Sequence, residues 1–415
     1  MDQSKSTPKK TELPSRAWLV VFLLCIVGAL NYIDRTMITT MRSSITAAIP
    51  MSDAKFGLLT AVFLWVYGIL SPFAGFLADR FNRSRVIIIS LFVWSAVTWL
   101  TAYATTFEQL LATRALMGIS EACYIPAALA LISDYHKGPT RSLAIGIHMA
   151  GIMAGQSLGF IGGWIAEEHD WSAAFSVFGI VGIVYTLIIV TSLKDAPKGN
   201  NKIYVKSENK INFWKAIAEL FSNKSFILLL SFWSLLSVIT WLIVGWLPTL
   251  YMEHFKLSQA VSGLYATGYL YPASVVGVLL GGFMADRWSK VNVRARILVP
   301  MLGLCVAAPA VFLASGTSVV WIAIICFILY AITKAFTDAN GMPILCMIVN
   351  PKYRATGYGI LNFFSCIVGG IGLYAGGALR DSNIDLTSTF RYASLLIVFC
   401  IFFLYMIKPK YTTEN

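Results

Sequence analysis

Six ionisable side chains lie inside long apolar stretches of this sequence, where an isolated charge is energetically unfavourable. A charge at the centre of a bilayer costs at least about 2.5–3.5 kcal/mol on insertion scales, so each one needs a partner, a water-filled cavity or a function. Three acids and three bases can neutralise one another, carry protons or bind an anion. The six residues are Asp34, Arg35, Arg114, Glu121, Lys334 and Asp338.

Four of these residues lie in the amino-terminal half, and helical geometry indicates how they meet. Arg114 and Glu121 are seven residues apart, so they share one helix face at about 10 Å along the axis. Asp34 and Arg35 diverge by about 100° around their helix, so we expect them to contact different partners. The geometry favours a pair between Asp34 and Arg114, and a pair between Arg35 and either acid.

Two interpretations of this cluster remain open. A static ion-pair network would only hold the helices together. In a switch, burial favours the protonated carboxylic acid and a nearby guanidinium favours the carboxylate, so changing water access moves a proton. The second interpretation makes Asp34 and Glu121 proton carriers. It makes Arg35 and Arg114 the anion-binding residues, because a planar guanidinium fits a carboxylate group.

The second half offers Lys334 and Asp338, which are four residues apart and can pair directly on one helix face. They form either a neutralised pair or a site where substrate competes for the lysine. Other polar or aromatic candidates could contact a ligand, although each is also explained as an interior packing residue. These are Tyr32, His148, Gln156, Trp241 and Asn362.

Composition shows which elements must position these residues. Of the 415 residues, 57% are hydrophobic and 13% are charged, about half the usual charged share of a globular chain. Helices of about 20 apolar residues in a bilayer accommodate such a composition. All seven cysteines lie in apolar runs without a CxxC or Cys/His cluster, so we expect neither a metal site nor disulfides. Twelve spans are predicted, at roughly 17–40, 55–78, 84–104, 107–133, 141–165, 171–193, 225–250, 258–284, 294–315, 318–348, 354–378 and 388–407.

The positive charge is unevenly distributed between the two sides of the predicted membrane. Loops on the side of the amino terminus, with both tails, hold 24 of the 32 lysines and arginines. Because basic loops stay in the cytoplasm, both termini are predicted to be cytoplasmic in a cell (inner) membrane. The net charge of +12 is then a topology signal, and nucleic acid is not an expected partner.

The polar stretch 194–224 divides the chain into halves of six spans, 1–193 and 225–415. Its end, 211–224, has apolar residues at helical spacing, which indicates either a helix on the inner membrane surface or a partly ordered linker. The segment 75–81 recurs at 282–288, and 141–147 recurs at 354–360. Two related halves around a central site are typical of transporters.

Glycines recur every four residues in the fifth span, which predicts close approach of a second helix along that ridge. The four positions are Gly151, Gly155, Gly159 and Gly163. Phe160, not proline, follows Gly159.

The repeated loop motif resembles the signature of the major facilitator superfamily over nearly the whole chain. The resemblance implies an all-α membrane fold of twelve helices and a cytoplasmic charge clasp that closes one face. Residues 31–35 and the pattern around Arg114 and Glu121 resemble the Spinster-like and anion:cation symporter branches. The gating residues that the resemblance implies are Gly75, Asp79, Arg80 and Arg83, with Gly282, Asp286 and Arg287 in the second copy.

We therefore expect a secondary transporter that takes up an organic anion with protons by alternating access. A sugar acid such as a sialic acid or hexuronate is the substrate class implied by resemblance to the anion symporters. The alternative is a Spinster-like carrier of lysolipids or other amphiphiles. No cofactor beyond the proton gradient is expected, and the carrier is expected to work as a monomer. An enzyme or a receptor is disfavoured, since no catalytic constellation or phosphate-binding motif is visible.

Overall fold

The computed structural model describes residues 15–136, 140–196 and 213–409, without the side chains of residues 15, 75–79 and 213. Over this part, twelve helical segments are long and apolar enough to cross a membrane, and they coincide with the twelve predicted spans. No strand occurs in the described residues. The helices are Ser15–Thr40, Arg42–Ala48, Asp53–Arg80, Arg83–Thr101, Phe107–Ala122, Tyr124–Tyr135, Arg141–Ser157, Phe160–Glu168, Trp171–Ser192, Phe213–Ser222, Lys224–His254, Gln259–Gly263, Leu270–Ser289, Ala295–Gly316, Val320–Ile348, Arg354–Asp381 and Leu386–Met406.

Three spans are interrupted within the membrane. The fourth span breaks at Cys123, and the fifth breaks between Ser157 and Phe160. The eighth contains a π-helical turn, Leu264–Tyr269. Such turns widen the helix by one residue and often occur at functional positions. The break in the fifth span and the turn in the eighth face each other, because Thr267 Oγ1 donates to the Ser157 carbonyl over 3.2 Å.

Side-chain caps define the start of several spans on the side opposite the termini. Thr106 Oγ1 accepts the amide of Gln109 over 3.3 Å at the fourth span. Ser258 does the same for Val261 at the eighth span. These bonds satisfy helix amides that have no partner within the helix, and they fix where each helix begins.

The segment between the halves carries one described helix, Phe213–Ser222. Ala216 and Leu220 are buried against the second half, whereas Trp214 is 75% exposed. The remainder of the predicted linker, residues 197–212, lies outside the described residues.

The glycine ridge of the fifth span packs directly against another helix, as predicted, and that helix is the first span. A Cβ atom on Gly151 would lie 2.9 Å from the Cys25 backbone, and one on Gly163 would lie 2.9 Å from the Thr40 carbonyl. Gly155 is closer still, with Ala29 against it. Small residues thus allow the two backbones to touch without intervening side chains.

The two halves meet mainly through the second and eleventh spans. A Cβ atom on Gly57 would lie 2.7 Å from the Leu373 carbonyl, and one on Gly68 would lie 2.6 Å from Cys366 Cβ. Trp65 Nε1 donates to the Ile367 carbonyl over 2.9 Å across this interface. The polar residues that bear on function lie beside this interface, toward the centre of the bundle.

Candidate functional site

The amino-terminal half buries an ion pair between its first and fourth spans. Arg35 Nε lies 2.6 Å from Glu121 Oε2, and their side chains are 6% and 0% exposed. This is one of the two pairings predicted for Arg35. A charge-assisted bond of this length offsets part of the cost of removing both charges from water.

Asp34 and Arg114 differ from the predicted arrangement. The Asp34 carboxylate accepts a bond from Thr98 Oγ1 of the third span over 3.0 Å. Arg114 Nη1 is directed at the Asp34 main-chain carbonyl, 3.5 Å away, and at Met117 Sδ. The predicted ion pair between Asp34 and Arg114 is not among those formed by the described residues. Arg114 therefore lies beside Asp34 as predicted, but its guanidinium contacts the main-chain carbonyl of Asp34 and not the carboxylate.

Three aromatic rings surround the Arg35 guanidinium. Its Cζ atom lies 4.4 Å from the ring centre of Tyr32, 4.9 Å from Phe63 and 4.5 Å from Tyr67. The Cζ atom of Arg114 lies 5.1 Å from the ring centre of Phe63, so both arginines contact this ring. Cation–π contacts stabilise a cation that water does not reach. Arg35 is therefore held by protein partners on several sides in this conformation.

A cavity of about 250 Å³ lies in the second half, between the seventh, tenth and eleventh spans. Lys334 Nζ lies 3.0 Å from both carboxylate oxygens of Asp338, which is the pair that the spacing allows. Asp338 remains 43% exposed, so the pair is accessible from the cavity. The polar and aromatic lining residues are Phe232, Trp233, Ser237, Thr240, Trp241, Lys334, Thr337, Asp338, Asn362 and Ser365.

Trp241 connects the two groups of candidates. Its side chain borders the cavity in the second half and also a much smaller space of about 20 Å³ beside Arg35 and Arg114. Its ring packs against Gly369 of the eleventh span, where a Cβ atom would collide with it. The indole thus separates the arginines from the Lys334–Asp338 cavity.

Two predicted ligand contacts lie elsewhere. His148 is 0% exposed and packs inside the first half, with its ring 5.9 Å from that of Tyr124. Gln156 is half-buried at the end of the first helix of the fifth span. Neither residue lines the two central cavities described above. Spacing along one helix does not show which of its faces borders a cavity, because that depends on the neighbouring helices.

The loops with the repeated motif form ion pairs within each half. Arg83 contacts Asp134 at the end of the fourth span. Arg296 lies 2.9 Å from Asp286 in the second half. Gly282 has open space where a Cβ atom would project, and Arg80 and Arg287 are exposed. The surroundings of Gly75 and the side chain of Asp79 lie outside the part that the structure describes, so a charge clasp at these loops stays a prediction.

A charge cluster that the sequence did not suggest joins the halves on the opposite side. Arg42 contacts Asp53, and its Nη1 lies 3.2 Å from Glu253. Arg380 lies 2.8 Å from Asp53 and 2.7 Å from Glu253. Both arginines lie 5.6 Å from the ring of Trp246. We call Arg42, Asp53, Glu253 and Arg380 the four-charge cluster.

The fold and the paired charges at its centre define a class of membrane carrier. A family model described as Major Facilitator Superfamily matches residues 24–373 and 235–415. The chain belongs to the major facilitator superfamily. Its members are transporters, so the chain is a multi-pass transport protein of that family.

Within the family, the chain is similar to Spinster proteins. It is 28% identical to protein spinster homolog 3 of Danio rerio, over 97% of this chain and 85% of the relative. It is also 28% identical to protein spinster homolog 1 of Homo sapiens, over 94% and 79%.

Solved structures agree on the fold. A bacterial homolog of the human lysosomal transporter Spinster, inward-facing and occupied, has a TM-score of 0.77 at 21% identity and covers 94% of this chain and 96% of its own. The nucleoside transporter NupG has a TM-score of 0.75 at 16% identity, over 94% and 100%.

Proposed function

We propose that this transporter carries an amphiphile with a small charged headgroup, of the lysolipid class, between the two halves by alternating access. The observation that carries the proposal is the cavity around Lys334 and Asp338, which offers an ammonium, a carboxylate, hydroxyls and indole rings. A headgroup binds the charged and polar atoms, and the indoles contact the adjoining chain. The similarity to Spinster proteins along nearly the whole chain supports the same class.

The sugar-acid hypothesis depends on two arginines facing a polar centre. Arg35 instead pairs with Glu121 and lies among aromatic rings. Arg114 is 1% exposed, and the space beside both arginines is about 20 Å³, too small for a sugar. Of the three basic residues described at the two central cavities, Arg35, Arg114 and Lys334, it is Lys334 that borders the larger one in this conformation. This favours the amphiphile over the organic anion that the sequence suggested.

Proton coupling through the first half is part of the proposal. Asp34 is 3% exposed and its carboxylate is held by a neutral hydroxyl, not by an arginine. Glu121 is bound to Arg35, so releasing that bond would free a second carboxylate. Burial favours a protonated acid and an adjacent arginine favours a carboxylate. Movement of Arg35 between Glu121 and another partner would therefore couple protonation to the position of the helices.

We also propose which side of the membrane the carrier is open to in this conformation. The four-charge cluster closes the face opposite the chain termini. With the termini in the cytoplasm, as the distribution of basic residues predicts, this is an inward-facing conformation in a cell membrane. Substrate and protons then reach the central cavities from the cytoplasmic side.

The test is transport into proteoliposomes with an imposed pH gradient. The panel contains zwitterionic and anionic lysolipids, a sialic acid and a hexuronate, each radiolabelled. We expect protein-dependent movement of a lysolipid above the rate in protein-free vesicles and in vesicles with Lys334→Gln. Accumulation of a sugar acid, with lysolipid movement equal to that of protein-free vesicles, would reverse the choice between the two substrate classes.

A further inference from the structure

A groove of about 660 Å³ lies on the outer surface of the first half, far from the Lys334–Asp338 cavity in sequence and in fold. Its walls come from the third and fourth spans and from residues 80–82, which join the second span to the third. The described lining residues include none from the second half. The groove is therefore separate from the pathway between the halves.

Apolar side chains line the deep part of this groove. Ile89 and Val93 are one turn apart on the third span, and Leu116 and Ile119 are nearly one turn apart on the fourth. All four are at least 41% exposed. The two rows of apolar side chains run side by side with a channel between them. A hydrocarbon chain fits this channel better than the surface of another globular protein does.

Along the third span, the groove covers most of the depth of one bilayer leaflet. Arg85, Ile89 and Val93 follow one another at intervals of four on a single helix face. Eight residues of helix cover about 12 Å. The hydrocarbon of one leaflet is about 15 Å deep, half of the bilayer core. An acyl chain beginning at Arg85 would run along the groove toward the middle of the membrane.

The mouth of the groove is basic. Arg80 and Arg85 line it, and no acid is among its described lining residues. The neighbouring Arg83 is engaged by Asp134 outside the groove. Arg85 is exposed and forms no ion pair with a described residue. The Arg85 guanidinium therefore borders the groove at the level of the headgroups.

We propose that this groove binds one phospholipid with an anionic headgroup, from the leaflet on the side of the chain termini. The phosphate contacts Arg85, and one acyl chain lies between the third and fourth spans. Basic pockets between membrane helices attract anionic headgroups in this way. The site goes beyond the transported substrate, because neither its residues nor its volume belong to the central cavities.

Native mass spectrometry of the purified full chain tests the proposal. Detergent-solubilised protein is titrated with phosphatidylglycerol and, separately, with phosphatidylcholine of the same acyl chains. The variant Arg85→Gln removes the charge at the mouth, and Ile89→Trp fills the exposed wall. Lys290→Gln is the matched control, since it removes one exposed positive charge from the same side of the second half.

We expect wild type to bind one phosphatidylglycerol more tightly than phosphatidylcholine. Arg85→Gln should weaken phosphatidylglycerol binding about five-fold, as one basic residue near a membrane surface implies, and weaken phosphatidylcholine binding less, because its choline group offsets the charge of the phosphate. Ile89→Trp should weaken both lipids, and Lys290→Gln neither. Equal binding of the two lipids by wild type, or an Arg85→Gln titration identical to wild type, would overturn the proposal.

Discussion

Arg380 and Asp53 belong to different halves of the chain, and Nε of the arginine donates to Oδ2 of the aspartate over 2.8 Å. The same guanidinium donates two bonds to Glu253 within its own half. One side chain therefore joins the end of the eleventh span to the beginning of the second. Opening this face requires the Arg380–Asp53 bond to break.

Arg380→Gln should shift the transporter toward conformations that are open on the side opposite the termini. A partly exposed ion pair contributes about 0.2–1 kcal/mol, and the Arg380–Asp53 pair is the one of Arg380 that joins the halves, so its loss should change the population ratio by up to about five-fold. Spin labels at Tyr103→Cys and Val319→Cys, in a background without native cysteines, report the distance between the halves on that side. Lys55→Gln, which removes another charge there, is the control. An unchanged distance distribution in Arg380→Gln would mean that the four-charge cluster does not hold the face closed.

Asp34→Asn should abolish uptake driven by a pH gradient, because the amide cannot carry the proton. Exchange of substrate at equal pH should continue, since it needs no net proton movement. Both are measured in the same proteoliposomes, with Glu108→Gln as a control that neutralises an exposed acid. Vesicles with Asp34→Asn that still concentrate substrate would remove Asp34 from the proton pathway.

Glu121→Gln should destabilise the protein because it leaves Arg35 buried without its partner. Removing one member of a buried pair costs about 3–5 kcal/mol in free energy of unfolding. The double variant Arg35→Met with Glu121→Leu should recover much of that loss. Thermal unfolding in detergent measures both. Should the double variant be as unstable as Glu121→Gln alone, the loss would come from packing, not from the uncompensated charge.

Lys334 and Asp338 should show strong coupling in substrate binding. Lys334→Gln removes a charged hydrogen bond to the headgroup, and such bonds contribute about 1.5–3 kcal/mol, or roughly ten- to hundred-fold in affinity. Asp338→Asn frees Lys334 and should tighten binding of an anionic lysolipid. A double-variant cycle at equilibrium separates these effects. Additive changes would show that the two residues act independently.

Gly155→Ala should lower the stability of the first half, because its new Cβ would lie 2.5 Å from the Ala29 Cα atom. Overpacking of this kind typically costs about 1–3 kcal/mol. Gly146→Ala is the matched control, since that glycine lies on the same helix with nothing within 4 Å of an added Cβ. The melting temperature should fall for Gly155→Ala and not for Gly146→Ala. Equal melting temperatures would contradict the close contact between the first and fifth spans.

The sequence predicts most of the fold because membrane helices must satisfy their own backbone and be apolar over about 20 residues. These requirements identify all twelve spans. The glycine spacing of the fifth span also predicts a close helix contact, although not that the first span provides it. Local spacing correctly predicts the Lys334–Asp338 pair, because both residues lie on one helix.

The remaining parts of the site depend on contacts between distant segments. The Arg114 side chain contacts the Asp34 carbonyl instead of its carboxylate, and no periodicity encodes that choice. The four-charge cluster was missed because its residues lie at span ends, where charges are ordinary. Basic residues are scarce on that side of the membrane, where 5 of the 32 lie, and two of these five belong to the cluster. This scarcity is the sequence signal that points to them.

The contact between the first and fifth spans has a mechanical consequence. Where the two backbones meet at Gly151 and Gly163, the neighbouring side chains are the short ones of Cys25 and Thr40, so few rotamer changes are available to absorb a displacement. The first and fifth spans must then move together as one rigid unit. The strain of a conformational change must then fall on the contacts between the halves, such as those of Gly57 with Leu373 and of Trp65 with Ile367.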